Sequence, residues 1–188
     1  MNPEGTEVWV PDASGDHVVV IDVATNAITH TIPVGEYPNS VVFIDDGSTA
    51  LVSARDGDYV TLIKTSDYSV SGTLSVLAGS GGTYDGPGNM ALDPTSRNIY
   101  AVDWYDATLF EIDENASTVL RSAEIGGDLW QLVCDPNGVY IYVTDRAADV
   151  VHVVDRATLT DFTTVPVGDD PWGIDVTMDG SKLVVACE

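Results

Sequence analysis

Trp130 and Trp172 lie 42 residues apart, each in an otherwise apolar stretch that follows an acidic loop. A pair of indoles held in the same register is a stacking platform for sugars, aromatic ligands or cations. The structural alternative is a wedge, with each ring filling the gap between two packed layers. Arg55 and Arg146 also occupy matching positions, one step beyond the runs ending in Ala54 and Asp145. Paired guanidiniums receive an anionic ligand or pair with nearby carboxylates. Local carboxylates are in such excess that pairing is the expected use. Trp104 and Tyr84, from two kinds of loop that share one face, complete a candidate ligand-binding set of Trp130, Trp172, Tyr84, Trp104, Arg55 and Arg146.

Other chemistry leaves fainter signals. Asp56-Gly57-Asp58 opens like a calcium loop, so Asp56 and Asp58 are the metal candidates and calcium the one cofactor with any sequence support. The further ligands and the closing Glu of an EF-hand are missing, which makes a plain hairpin turn the default. His17, His30 and His152 fall at different strand positions and do not converge, and Cys134 and Cys187 lack metal-site or disulfide-framework spacing. No nucleophile elbow, phosphate loop, His-Glu-x-x-His or Cys-x-x-Cys occurs. Carboxylates are numerous enough that some pair will reach glycosidase-like separation, and the sequence selects none.

The elements that position these residues follow from a repeat. Trp9-Val10-Pro11-Asp12, Leu51-Val52-Ser53-Ala54, Tyr100-Ala101-Val102-Asp103 and Tyr142-Val143-Thr144-Asp145 recur at steps of 42, 49 and 42, and Val184-Val185-Ala186-Cys187 follows 42 later. Each of the first four is followed by a second apolar run ending at Asp22, Lys64, Asp113 or Asp155. A period near 40 with several short strands per unit predicts an all-β fold, a β-propeller of four-stranded antiparallel blades.

Within a unit the strands are named a to d from the centre outward. The first unit reads b at Glu7 to Val10, c at Val18 to Ile21 and d at Ala27 to Val34, half exposed by its alternation. Strand a of the next blade is Ser40 to Ile44. Aspartates mark the turns. Asp93, Asp135 and Asp179 lie at a–b turns, and Asp22, Asp113 and Asp155 at c–d turns, where a carboxylate accepts backbone N–H bonds. The step of 49 places a seven-residue insertion in one d–a loop, within Leu77 to Gly88. Residues 1–188 read as one domain, with repeats at about 7–49, 50–97, 98–139 and 140–181 and the start of another at 182–188.

These motifs resemble the YVTN-type β-propeller repeat, found in surface-layer and secreted proteins of archaea and bacteria. Tyr142-Val143-Thr144-Asp145, the downstream Val-Val-Asp, Ile32-Pro33-Val34-Gly35 with Pro38, and the acidic Gly turn carry the resemblance, which spans Glu7 to Glu188. The family's fourth letter is usually Asn, whereas Asp12, Ala54, Asp103 and Asp145 stand here. The resemblance implies a fold and an extracellular or cell-surface location, and no particular chemistry. Rings of this type usually hold about seven blades. This chain supplies b-c-d, three full sets and a-b. That is a partial ring, or one completed by another chain, with self-association through exposed terminal blades as the expectation.

The net charge is −23, with 30 acidic residues against seven Lys and Arg. Nucleic-acid phosphates and anionic membrane surfaces are therefore poor partners. No apolar run approaches the roughly 20 residues of a membrane-spanning helix, so no membrane insertion is expected. The opening Met1-Asn2-Pro3-Glu4-Gly5 does not read as a secretory signal peptide. The sequence thus predicts a non-catalytic binding or scaffold module for a protein, small-molecule or carbohydrate ligand. The alternative is a propeller lyase, lactonase or hydrolase with a metal-assisted site at the channel mouth.

Overall fold

The computed structural model describes residues 1–77 and 86–188. The inserted segment at 78–85, with Tyr84, lies outside the described residues. Among those described, seventeen strands form five antiparallel sheets in chain order. The first is β1 (Glu7–Asp12), β2 (His17–Asp22) and β3 (Ala27–Pro33). The second is β4 (Pro38–Ile44), β5 (Thr49–Ala54), β6 (Tyr59–Lys64) and β7 (Val70–Ser75). The third is β8 (Pro87–Leu92), β9 (Ile99–Asp103), β10 (Thr108–Ile112) and β11 (Val119–Glu124). The fourth is β12 (Leu129–Cys134), β13 (Tyr140–Asp145), β14 (Val150–Asp155) and β15 (Thr160–Pro166). The last is β16 (Pro171–Val176) and β17 (Leu183–Cys187). Every neighbour is joined by a hairpin, the arrangement of propeller blades.

The strands exist because their turns are satisfied locally. At the c–d turns, Asp22 accepts the Thr25 N–H at 2.7 Å and Asp155 accepts that of Thr158 at 2.9 Å. Asp113 accepts both Ser117 and Thr118 N–H. At the a–b turns Asp93 accepts from Thr95, Asp135 from Asn137 and Asp179 from Ser181. Each carboxylate satisfies donors that the ladder leaves open.

The apolar core lies between sheets. Trp9, Val18 and Val20 of the first pack on Ala50, Val52 and Ile63 of the second. Val42, Leu51 and Val60 meet Met90, Ala101 and Phe110. Tyr100, Val102 and Leu109 meet Leu129, Ile141 and Val143. Every residue of β9 and β10, in the central blade, is buried. The outermost strands are more exposed than their alternation predicts. In β3 only Ile32 is buried, and in β15 no residue is. Blades radiate from an axis, so their outer edges stand too far apart to cover one another.

Two irregularities repeat. The c–d register shifts at Val20/Ile21, Leu62/Ile63, Glu111/Ile112 and Val153/Val154. The a–b register shifts between Pro38/Val41, Pro87/Asn89, Leu129/Leu132 and Pro171/Gly173. A bulge sets two residues against one and re-aims a side chain. Here it frees Asn39, Gly88, Trp130 and Trp172 from the ladder, all in one repeat position. The next residue ties blade to blade. Ser40 Oγ accepts the Met90 N–H at 3.2 Å, Asn89 Oδ1 that of Leu132 at 3.3 Å, and Gln131 Oε1 that of Ile174 at 3.2 Å.

Candidate functional site

One rim of the arc is built from b–c hairpins and d–a loops. The b–c hairpins start from the fourth letter of the repeat. Asp12 accepts the Ser14 and Gly15 N–H, Asp103 those of Tyr105 and Asp106, and Asp145 those of Ala147 and Ala148. Each hairpin then carries a residue with positive φ at Asp16, Asp58, Ala107 or Asp149. Aspartate tolerates that conformation better than most side chains. The residue just after the fourth letter is thereby presented to the next blade. In the second, third and fourth blades it is Arg55, Trp104 and Arg146.

These three interleave with the bulge residues in one continuous stack. The Arg55 guanidinium lies 3.5 Å from the Tyr37 ring centroid and 5.6 Å from that of Trp104. Trp104 stacks on Trp130 at 3.8 Å with planes 16° apart, and its Nε1–H donates to the Trp130 carbonyl at 2.8 Å. Trp130 meets Trp172 edge-on at 4.6 Å and 74°. Arg146 sits in the angle between them, 4.7 Å from Trp130 and 3.9 Å from Trp172. The order Tyr37, Arg55, Trp104, Trp130, Arg146, Trp172 therefore runs across four consecutive blades.

Five of the six residues that sequence selects for ligand binding thus meet, and the sixth, Tyr84, lies outside the described residues. The three indoles differ in how far they are buried. Trp104 is the wedge, 7% exposed and laid over Gly88, where any Cβ would strike the indole. Trp172 is the open face, 36% exposed. Trp130 is half-buried between them.

The arginines pair with carboxylates, as their surroundings suggest. Arg55 forks onto Asp56, with Nε–Oδ1 at 2.5 Å and Nη2–Oδ2 at 3.2 Å. Both Asp56 oxygens are thereby engaged, and Asp56-Gly57-Asp58 forms a hairpin turn closed by Gly57 N–H on the Ala54 carbonyl. Arg146 forks onto Asp170, with Nε–Oδ1 at 2.5 Å and Nη2–Oδ2 at 3.1 Å. That bond holds the Asp170 carboxyl below the ordinary range. Trp172 Nε1–H also donates to Asp170, at 3.2 Å, which fixes the indole. Asp128 goes the other way: burial and the Asp145 and Asp170 charges raise it against the pull of Arg146. Among the described residues no cluster of three or more His, Cys, Asp or Glu is arranged to hold a metal ion.

Several participants lie outside the ligand-binding set selected from the sequence. Tyr37 and Asp170 occupy the same repeat position, before Pro38 and Pro171, and Asp16 and Asp149 accept their backbone N–H groups at 3.0 and 2.9 Å. Ser40, Asn89 and Gln131 stand at steps of 49 and 42, so a recurring polar residue in an apolar strand is the signal that marks them. The histidines stay apart. His17 begins β2, His30 stacks on Tyr68 at 3.6 Å, and buried His152 places its two ring nitrogens on Asp161 and Asp145 at 2.8 and 3.2 Å.

Blades joined by hairpins, packed face to face around inner strands, make this a β-propeller arc. It is similar to the solved structure of Kuenenia stuttgartiensis hydrazine synthase, with a TM-score of 0.83 at 18% identity. The match covers 98% of this chain and 53% of that one, so the chain spans about half the length of its structural neighbour. The likeness is one of fold. No protein-family model matches the chain, and no curated protein does.

Proposed function

We propose that the chain is a non-catalytic binding module, of the cell-surface or secreted kind that its repeats resemble, and that the rim carrying Trp130, Arg146 and Trp172 is its ligand face. The observation that carries this reading is the continuous aromatic–arginine stack. Each ring is fixed by a neighbour or a hydrogen bond, so a ligand meets a surface that needs little further ordering. Arginine and aromatic side chains are also the types that dominate binding energy where ligands dock.

The reading is tested on two fronts. Protein and glycan arrays probed with the intact chain should give ligands that Trp172→Ala loses and the distant Phe162→Ala keeps. Turnover of chromogenic glycosides or lactones, dependent on added calcium or zinc and abolished by Asp56→Asn or Asp58→Asn, would replace it with the metal-assisted enzyme.

A further inference from the structure

We infer a second binding site, separate from the rim. The cleft between the outer strands of the first and second blades takes a small neutral ring that carries a hydroxyl, of the phenol class. The cleft lies between two pairs of strands, β2–β3 and β6–β7, and holds a cavity of about 210 Å³. Pro33 and Val34 line one side, and Tyr59, Thr61, Val70 and Thr73 the other. Pro33, Val70 and Thr73 are exposed, whereas Thr61 is only 2% exposed, so the cavity has an open mouth and a buried wall.

The repeat explains the cavity. Thr61 pairs with Thr73, Phe110 with Ser122 and His152 with Thr164, so these three hold one position in successive blades. At the interface of the second and third blades Phe110 fills that position, in the core with Val42 and Val60. At the next interface His152 fills it, with both ring nitrogens bonded to Asp145 and Asp161. Between the first and second blades a threonine stands instead, and the ring is missing. A cavity of about 150 Å³ is enough to hold benzene, so this one has room for a six-membered ring and a substituent.

Polarity narrows the ligand further. No charged side chain lines the cavity, so an ion would lose its hydration and gain no partner. Thr61 Oγ1 is buried and has no hydrogen-bond partner among the described residues. Buried polar groups are almost always paired, and one left open is costly. A ligand hydroxyl both donates and accepts, so it can pair with that oxygen in either sense. The Tyr59 wall is formed in advance. Its ring lies against Gly35 and Gly57, where a Cβ on either would stand 2.8 Å from it. A ligand therefore meets a surface that needs little ordering.

The experiment follows the methyl signals of Val34, Thr61 and Val70 in the intact chain by NMR while phenol, toluene or benzoate is added. Phenol and toluene share a shape and differ in the hydroxyl, and benzoate adds a charge. The expected result is saturable shifts, with phenol bound about fivefold more tightly than toluene and benzoate more weakly than either. Thr61→Val keeps the shape and removes the hydroxyl, so phenol should fall about fivefold, to the level of toluene. Val70→Trp, at the exposed mouth, should block both. Trp172→Ala should change neither, because the rim is elsewhere. Melting curves check that each variant is folded, and Val70→Trp decides the matter if Thr61→Val is not. Absence of saturable shifts at these methyls overturns the site. Phenol bound no better than toluene, or indifferent to Thr61→Val, overturns the phenol class, as does benzoate bound as tightly as phenol. Phenol binding that Trp172→Ala abolishes belongs to the rim, which overturns the second site and leaves the rim's ligand face standing.

Discussion

Arg55 and Arg146 hold the same repeat position and do different work. Arg55 finds its carboxylate next door in sequence, at Asp56, and spends its flat face on Tyr37. Arg146 finds its carboxylate 24 residues on, at Asp170, and its flat face meets the indoles of two blades. The cause lies in the next blade along. The positions that hold Asp170 and Trp172 after Arg146 hold Gly86 and Gly88 after Arg55. Glycine supplies neither a carboxylate nor a ring, so the acid must come from elsewhere. A repeat thus fixes where a guanidinium stands, while its neighbours decide whether it braces its own hairpin or bridges two blades.

Trp104 joins the two sites, and its removal is the most severe way to separate them. Trp104→Ala empties the space over Gly88 and breaks the stack on Trp130, at a cost of about 3–5 kcal/mol. Urea denaturation followed by circular dichroism measures it. A loss below about 1 kcal/mol would mean that the two sites are independent.

Arg146→Gln and Arg55→Gln come next. Because Arg146 bridges blades, its loss should lower the melting temperature more than that of Arg55. Removing Arg146 also lets Asp170 titrate closer to its ordinary range, which carboxyl-carbon NMR reads directly. The sign follows from the depressed folded-state value. The stabilisation from Asp170 is present above the unfolded pKa of about 4 and is lost as pH falls through the lower folded value. Arg146→Gln should therefore flatten the acid limb of the stability curve. Equal melting shifts for the two variants would erase the distinction between brace and bridge.

Asp128→Asn is a smaller effect of opposite sign. Its folded-state pKa is raised, so the ionised form is a penalty at neutral pH that lessens as pH falls through that raised value. The variant should melt higher at pH 7 and converge on the parent in acid. A lower melting temperature at pH 7 would show that Arg146 needs both carboxylates.

Salt is the gentlest probe of all. Exposed like charges each cost well under about 1 kcal/mol, but there are many, and screening relieves them together. Melting temperature should climb with NaCl from millimolar to molar concentrations. Calcium at millimolar levels should add little beyond its ionic strength. A large calcium-specific rise would make Asp56 and Asp58 ligands and turn the Arg55 site into a metal site.

Strand order, turn positions and rim residue types were all legible in the chain. These depend on local rules that repeat: an aspartate that caps the hairpin it begins, and a 42-residue step that brings like positions to one rim. The bulges were not legible. A bulge is an offset between two strands and leaves no mark in either alone, yet it is what turns Trp130 and Trp172 out of the ladder. Nor were partners across blades. Glu111 accepts bonds from Asn98, Tyr100 and Arg121, and Arg121 reaches carbonyls of Arg156 and Ala157, 35 and 36 residues away. Burial would raise the Glu111 carboxyl, and those donors hold it low. Sequence by itself determined the repeat and so the fold, because the hydrogen bonding of hairpin-joined strands and their turns is short-range along the chain. Tertiary structure alone decided which arginine bridges and which indole stays open, because those contacts depend on how far one blade is turned against the next.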